Sequence, residues 1–242
     1  MGLIRIDNFH KSYGNKKVHR GLTFEVNEGE CLGLVGGSGT GKSVLLRSLI
    51  GLEKPDTGKV FYRQTEISKL DENHLIDIRK KIAYVFQGGA LFDSMTVYEN
   101  LAYPLREHTD WLESQISDRI HGLLDEFGLG GNDQVYPGNL SGGMQKRVGL
   151  ARAIIMDPEI VLYDEPTAGL DPYNTRKIEE MILKMKRRGK TSVLVTHDMP
   201  VAFKVCDRIV LLKDGVISAM GTINEINNRE DHIISKFAEG EY

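Results

Sequence analysis

The stretch that most constrains this chain is Gly36-Gly37-Ser38-Gly39-Thr40-Gly41-Lys42-Ser43, a complete Gly-x-x-x-x-Gly-Lys-Ser pattern. The apolar run Cys31 to Val35 precedes it and reads as a buried strand, while Val44 to Ile50 carries helical spacing. Strand, glycine loop and helix in that order form the context of a phosphate-binding loop. Glycines let the backbone wrap phosphate oxygens, and successive N–H groups at the helix N-terminus aim at the anion. Lys42 is placed to reach the β- and γ-phosphates, and the Ser43 hydroxyl to ligate Mg²⁺. Four fixed positions recur by accident in a chain this long roughly a few per cent of the time. The loop therefore points to a nucleotide and is silent on what the nucleotide drives.

Around that loop the pattern is α/β. Leu3 to Phe9 and Leu22 to Val26 alternate and read as an antiparallel lobe. Thr57 to Arg63 and Lys81 to Phe86 are further strands, split by a helical stretch at 71–79. From Gly88 to Asn139 the β signal fades. Trp111, Leu112, Ile116, Ile120, Leu123, Leu124 and Phe127 fall near a 3.6 period, the mark of an amphipathic helix packing into a core. Ile160 to Tyr163 and Ser192 to Thr196 are short continuous apolar runs of the parallel-sheet kind. Asp214-Gly215 marks a hairpin between Ile209–Lys213 and Val216–Met220. The expectation is one domain of 242 residues, with a catalytic core at 1–87 and 158–221, a helical subdomain at 88–157 and a polar helical tail at 222–242.

Composition narrows the partners. A formal net charge of −3 gives no overall basic field, so nucleic acid is not an expected partner. Cys31 and Cys206 lie far apart in apolar stretches and read as buried reduced thiols. No charged-then-apolar leader appears, and no apolar run approaches the ~20 residues that span a bilayer. The expectation is a soluble, cytosolic chain, held at any membrane by other subunits.

Two further groups carry chemistry. Asp164-Glu165 ends the strand at Ile160, where an acidic residue can hold Mg²⁺ beside Ser43 and its neighbour can polarise an attacking water. Two acids after a strand also commonly just begin a loop; the upstream phosphate loop favours the chemical reading. Leu140-Ser141-Gly142-Gly143-Met144 opens a helix. Ser141 serves as an N-cap on the plain reading. Each glycine after it costs ~1 kcal/mol relative to alanine, which makes sense if a phosphate docks on bare backbone. One γ-phosphate does not readily touch two helix ends of the same chain.

The ordered set of phosphate loop, Gln87, Leu140 to Met144, Asp164-Glu165 and His197 resembles an ABC-type ATPase subunit, from Tyr13 to about Gly221. The resemblance implies a P-loop NTPase (RecA-like) core with an N-terminal antiparallel β lobe and a helical insert, hydrolysing ATP with Mg²⁺. It implies a dimer in which two subunits sandwich two ATPs, each signature segment capping its partner's nucleotide. By the same resemblance Tyr13 matches the aromatic that stacks on adenine, although Tyr13-Gly14 is also a turn pair. Residues Gly36 to Ser43 with Val44 hold the phosphates. Ser43, Gln87 and Asp164 form the metal shell, Glu165 is the general base, and His197 contacts the γ-phosphate. Asp171 speaks across the dimer. The other histidines match nothing and read as surface residues.

Three departures share a direction: Val44 after Lys42-Ser43, Met144 closing the signature, and Phe86 to Ser94 leading into Thr96 to Asn100 and Tyr103 to His108. Together they resemble the ATPases of Mla and Mce-linked phospholipid transport, which implies an integral membrane permease, a periplasmic lipid-binding subunit and a place on the cytoplasmic side of the inner membrane. Ala90, Leu91 and Phe92 read either as lining of a permease-docking groove or as core of the helical insert. An ABC ATPase of another transport system, or a soluble one outside transport, is the alternative.

Overall fold

The computed structural model describes residues 2–229 and 232–241. Met1, and Glu230, Asp231 and Tyr242 of the expected tail, lie outside the described residues.

Two sheets build the molecule. The N-terminal one pairs β1 (Ile4–Tyr13) with β2 (Lys16–Val26) and adds β4 (Thr57–Tyr62) and β5 (Thr65–Glu66), all antiparallel, in the order β2-β1-β4-β5. The central one runs β10-β9-β3-β8-β7-β6, from β3 (Cys31–Val35), β6 (Ile82–Val85), β7 (Ile160–Asp164), β8 (Thr191–Val195), β9 (Arg208–Lys213) and β10 (Val216–Thr222). Every pairing from β9 to β6 is parallel, and β10 returns antiparallel through the Asp214-Gly215 turn. All five residues of β3, β7 and β8 are buried, as strands covered on both faces must be.

Alternate strand residues feed two cores. Leu32, Leu34, Ile82, Ile160, Leu162, Val193 and Val195 face the side shared with the antiparallel sheet and with Leu45, Leu46 and Leu49, which come from or directly follow α1 (Lys42–Ser48). Val35, Ala83, Val85, Val161, Tyr163 and Leu194 face the other side. There they meet α3 (Val97–His108), α4 (Glu113–Glu126), α5 (Gly142–Ile154), α6 (Pro172–Arg187) and α7 (Met199–Val205). The first core also takes α2 (Glu72–Arg79) through Leu75 and Ile78, while α8 (Ile223–Asn227) and α9 (Ile233–Ala238) cover the second. This is the expected P-loop NTPase architecture, with its antiparallel β lobe ahead of the core.

Trp111 and Leu112, counted into the helical stripe, precede α4 and stand 45% and 69% exposed; the buried stripe is Ile116, Ile120, Leu123, Leu124 and Phe127. Cys31 and Cys206 are free, buried thiols with Sγ atoms 4.0 Å apart. Among the described residues no helix is long and apolar enough to cross a membrane.

Candidate functional site

The carboxyl ends of β3, β7 and β8 converge, because β8 sits between β3 and β7 in one parallel sheet. Open parallel sheets bind ligands at this edge. From β3 the chain enters the loop Gly36–Gly41 and then α1, whose N-terminal residue is Lys42. Gly41 has φ +90°, and a Cβ there would collide with Val18 and His19, so the loop's last turn admits only glycine. The Lys42 ammonium donates to the carbonyls of Gly36 at 2.8 Å and Gly37 at 3.0 Å, curling the loop around its own lysine. Burial pushes that ammonium down from its ordinary pKa, and the nearby carboxylates of Glu165 and Asp164 partly oppose the shift.

One residue further, the Ser43 hydroxyl donates to Asp164 Oδ1 at 2.7 Å. The other oxygen, Oδ2, accepts from the Tyr84 hydroxyl at 2.7 Å. Burial first, then the carboxylate contact, pushes the Tyr84 phenol far above its usual range, so it stays a donor. Glu165 follows with φ +50°, a left-handed conformation uncommon outside glycine, fixed by its N–H donating to Val195 O at 2.9 Å. Its Oε2 lies 2.8 Å from His197 Nδ1 and accepts from the His197 N–H at 3.3 Å. The carboxylate is sheltered and the imidazole exposed, at 14% and 66% of their side-chain surface.

These groups open onto a cavity of about 750 Å³ lined by Tyr13, Lys16, Val18, Ser38, Gly39, Gly41, Lys42, Ser43, Val44, Gln87, Glu165 and His197. Tyr13 stands half-exposed at the rim, its hydroxyl beside Glu53 and its ring 5.2 Å from the Lys11 ammonium. The chain thus brings together the phosphate loop, Tyr13, Val44, Gln87, Asp164, Glu165 and His197.

The signature segment does not join them. Leu140 to Met144 and Asp171 are absent from the cavity wall. Ser141 caps α5, accepting from Met144 N at 3.3 Å, and is exposed together with Gly142. Gly142 has open space around it, whereas a Cβ on Gly143 would strike the Asn174 side chain. Packing explains the second glycine, therefore, and leaves the first bare. Asn174 is itself held by Asp171, which accepts from its N–H at 3.0 Å and its side-chain amide at 2.6 Å while capping α6.

Two participants escaped the sequence reading. Tyr84 carried a signal, being a polar tip in an apolar strand two positions from Ile82 on the same face. His19, expected at the surface, is 1% exposed; its Nε2 lies 3.1 Å from the Gly41 carbonyl, its ring meets Phe9 edge-on at 5.6 Å, and Nδ1 has no partner. Burial lowers its pKa.

Residues 19–168 match the protein-family profile described as ABC transporter. The chain is 39% identical over 238 residues to the "Probable ribonucleotide transport ATP-binding protein mkl" of Mycobacterium leprae, covering 98% of this chain and 69% of the relative. It is 37% identical to the chloroplastic "Protein TRIGALACTOSYLDIACYLGLYCEROL 3" of Arabidopsis thaliana, covering 98% and 74%. Its fold superposes on the dimeric post-hydrolysis state of the ATP-binding cassette MJ0796 bound to ADP and phosphate. That match has a TM-score of 0.85 and 33% identity over 91% of this chain and 98% of that one.

Proposed function

Since this chain belongs to the ABC transporter family, as an ATPase that binds ATP with Mg²⁺ and couples hydrolysis to transport, we propose that it drives phospholipid movement between two membranes from the cytoplasmic face of the inner one. In this reading two copies close on two ATPs, an integral permease is the load, and a periplasmic lipid-binding subunit receives or delivers the cargo. The core at 1–87 and 158–221 does the chemistry and the helical subdomain at 88–157 meets the permease.

The residues fit the metal. Ser43 and Asp164 offer two hard oxygens side by side, and no cluster of three His, Cys, Asp or Glu occurs among the described residues. Mg²⁺ favours such sparse protein ligation, completing its shell with water and phosphate oxygens. When bound, it neutralises charge developing on the β- and γ-oxygens. Lys42 and the loop N–H groups hold the triphosphate, and Tyr13 stacks on the base. Glu165, with Oε2 committed to His197, turns its remaining oxygen to the attacking water as general base. Gln87 closes the metal side and His197 the γ-phosphate side. Ser141 to Met144 and Asp171, absent from the wall of their own chain's cavity, serve the partner's nucleotide.

The observation that carries the cargo reading is the segment after Gln87. Phe92 is 45% exposed, meets Tyr103 edge-on at 5.6 Å and lies 5.2 Å from the Arg152 guanidinium. It neighbours a groove of about 400 Å³ lined by Ile76, Pro104, His108, Arg152 and Met156 among others. Ala90 is exposed as well, whereas half-buried Leu91 packs against the core of the helical insert, so this run divides between open surface at Ala90 and Phe92 and insert core at Leu91. The segment that resembles lipid-transport ATPases thus supplies the surface offered to a permease helix. A relative named for a galactolipid adds weight, while another is named for ribonucleotide transport; the cassette's own fold does not set the cargo.

The test is affinity capture of the tagged chain from detergent extract, followed by lipid analysis of the complex. A polytopic membrane protein with co-purifying phospholipid is the expected result. A permease without lipid, stimulated instead by a polar solute, overturns the cargo; no permease at all overturns the transport assembly.

A further inference from the structure

We infer that Tyr84 is a positioning residue for the metal: it holds Asp164 in the one orientation that presents a single carboxylate oxygen to Ser43. This rests on the reading of Asp164 as the metal-associated acid and adds a residue to it.

The placement follows from register. β6 and β7 run parallel with Tyr84 opposite Leu162, so Asp164 lies two positions on, at the strand's end, on the same face of the sheet. A side chain at that diagonal is within reach of a long neighbour. Tyrosine spans the gap: its ring packs half-buried against the core under α1 and against Phe86 at 4.4 Å, and its hydroxyl meets Oδ2 at 2.7 Å. Ser43 meets Oδ1 at the same distance. The carboxylate therefore has one oxygen committed on each side and no free rotation about its terminal bond. Phenylalanine would keep the ring, the packing and the strand, and would lose only the hydroxyl. Asp164 Oδ2 would then lack its donor, and the carboxylate could turn away from Ser43.

Residues that orient a metal-ligating carboxylate in this way typically change metal affinity by about 10–100-fold when removed. The experiment uses the full chain and a fluorescent, slowly hydrolysed ATP analogue, with binding measured in EDTA and across a Mg²⁺ titration. Tyr84→Phe is expected to raise the Mg²⁺ concentration for half-maximal effect by about tenfold or more, with analogue affinity in EDTA unchanged. A merely structural role would move both. Asp164→Asn serves as the reference, and Tyr84→Phe placed on it should add nothing, because the hydroxyl acts through that carboxylate.

An Mg²⁺ titration unmoved by Tyr84→Phe but shifted by Asp164→Asn overturns the inference alone. So does equal loss in EDTA and Mg²⁺, or full additivity in the double variant. If Asp164→Asn leaves the titration where it was, the assignment of Asp164 itself is wrong and the role of Tyr84 goes with it.

Discussion

Changing Glu165 to glutamine removes a charge and a basic site while keeping the side chain's shape. The strained backbone is undisturbed, since the φ of +50° and the N–H bond to Val195 O at 2.9 Å do not depend on the side chain's charge. What the fold loses is the charged character of the 2.8 Å contact with His197 Nδ1. A hydrogen bond to a charged group contributes about 1.5–3 kcal/mol against roughly 1 for a neutral one. The imidazole is two-thirds exposed, so solvent screening reduces that difference to about 1 kcal/mol or less. In a chain of this size such a loss lowers Tm by only about 2–4 °C. Loss of a general base costs 10²–10⁴ in rate, or about 2.7–5.4 kcal/mol of barrier at 1.36 per decade. Chemistry should therefore fail long before structure does. Phosphate release at saturating Mg-ATP is expected to fall by at least about 100-fold while nucleotide binding is retained, and gel filtration should show an ATP-trapped dimer. Turnover within about tenfold of the parent, in a variant that melts normally, would refute Glu165 as the base.

Ser141→Ala removes a helix cap, which costs about 1 kcal/mol of stability, yet the reading requires lost turnover with ATP still bound by the isolated subunit. Equal loss of binding and turnover would place the signature in its own chain's site. For His19 the sign is set by burial, which holds the native pKa below the unfolded 6.5. Its contribution is complete above that value. As pH falls from the unfolded value towards the native one, the unfolded chain takes up a proton that the folded chain refuses. Stability then declines by at most about 1.4 kcal/mol per pH unit, and urea midpoints of His19→Gln should lack this part of the acid slope. Gly149→Ala should reverse the usual rule. Alanine gains about 1 kcal/mol over glycine inside a helix, but here the new Cβ would sit 2.6 Å from Gly89 Cα and 2.7 Å from its carbonyl. Overpacking of this kind costs about 1–3 kcal/mol, so the denaturation midpoint should drop; a rise would show that the two segments part freely.

The groups at the ends of β3, β7 and β8 were legible because each follows a short apolar run, and period and punctuation survive in sequence. The order of those strands was not. β3 lies between β8 and β9, whose pairing partners Ser192 and Arg208 are more than 150 positions from Cys31 and Leu32. No local pattern records that choice. His19 was misread for a physical reason. Counting by twos back from Val26, Phe24 and Leu22 puts it on the outward face. In the fold Phe9 pairs with Leu22 but His10 pairs with Arg20, so Gly21, at φ +83°, is an extra residue that turns the rest of β2 over. A bulge of one residue moves every preceding side chain to the opposite face. Trp111 and Leu112 fail for the converse reason: they keep the helical period but lie before the turn in which α4 begins, where they are left exposed.

α5 is the element through which two distant events can inform each other. The Arg147 guanidinium at its middle donates to the carbonyls of Phe127 at 3.0 Å and Gly128 at 3.2 Å, tying the helix to the end of α4. Towards its N-terminus it touches the chain that follows β7 twice. Gly143 lies against Asn174, and the Lys146 ammonium bonds the Ala168 carbonyl, in the loop that follows Glu165. One turn further on, Gly149 lies against Gly89, two residues after Gln87. Glycine-to-glycine contact leaves no side chain to absorb a displacement, and packed interiors transmit strain rather than dissipate it. Under the proposed function, a shift imposed at Ser141 by a partner's nucleotide is expected to reach Gly89, and through the backbone the exposed Phe92. The proposed function needs such a path, because its fuel is bound at one end of this helix and its load is met beside the other.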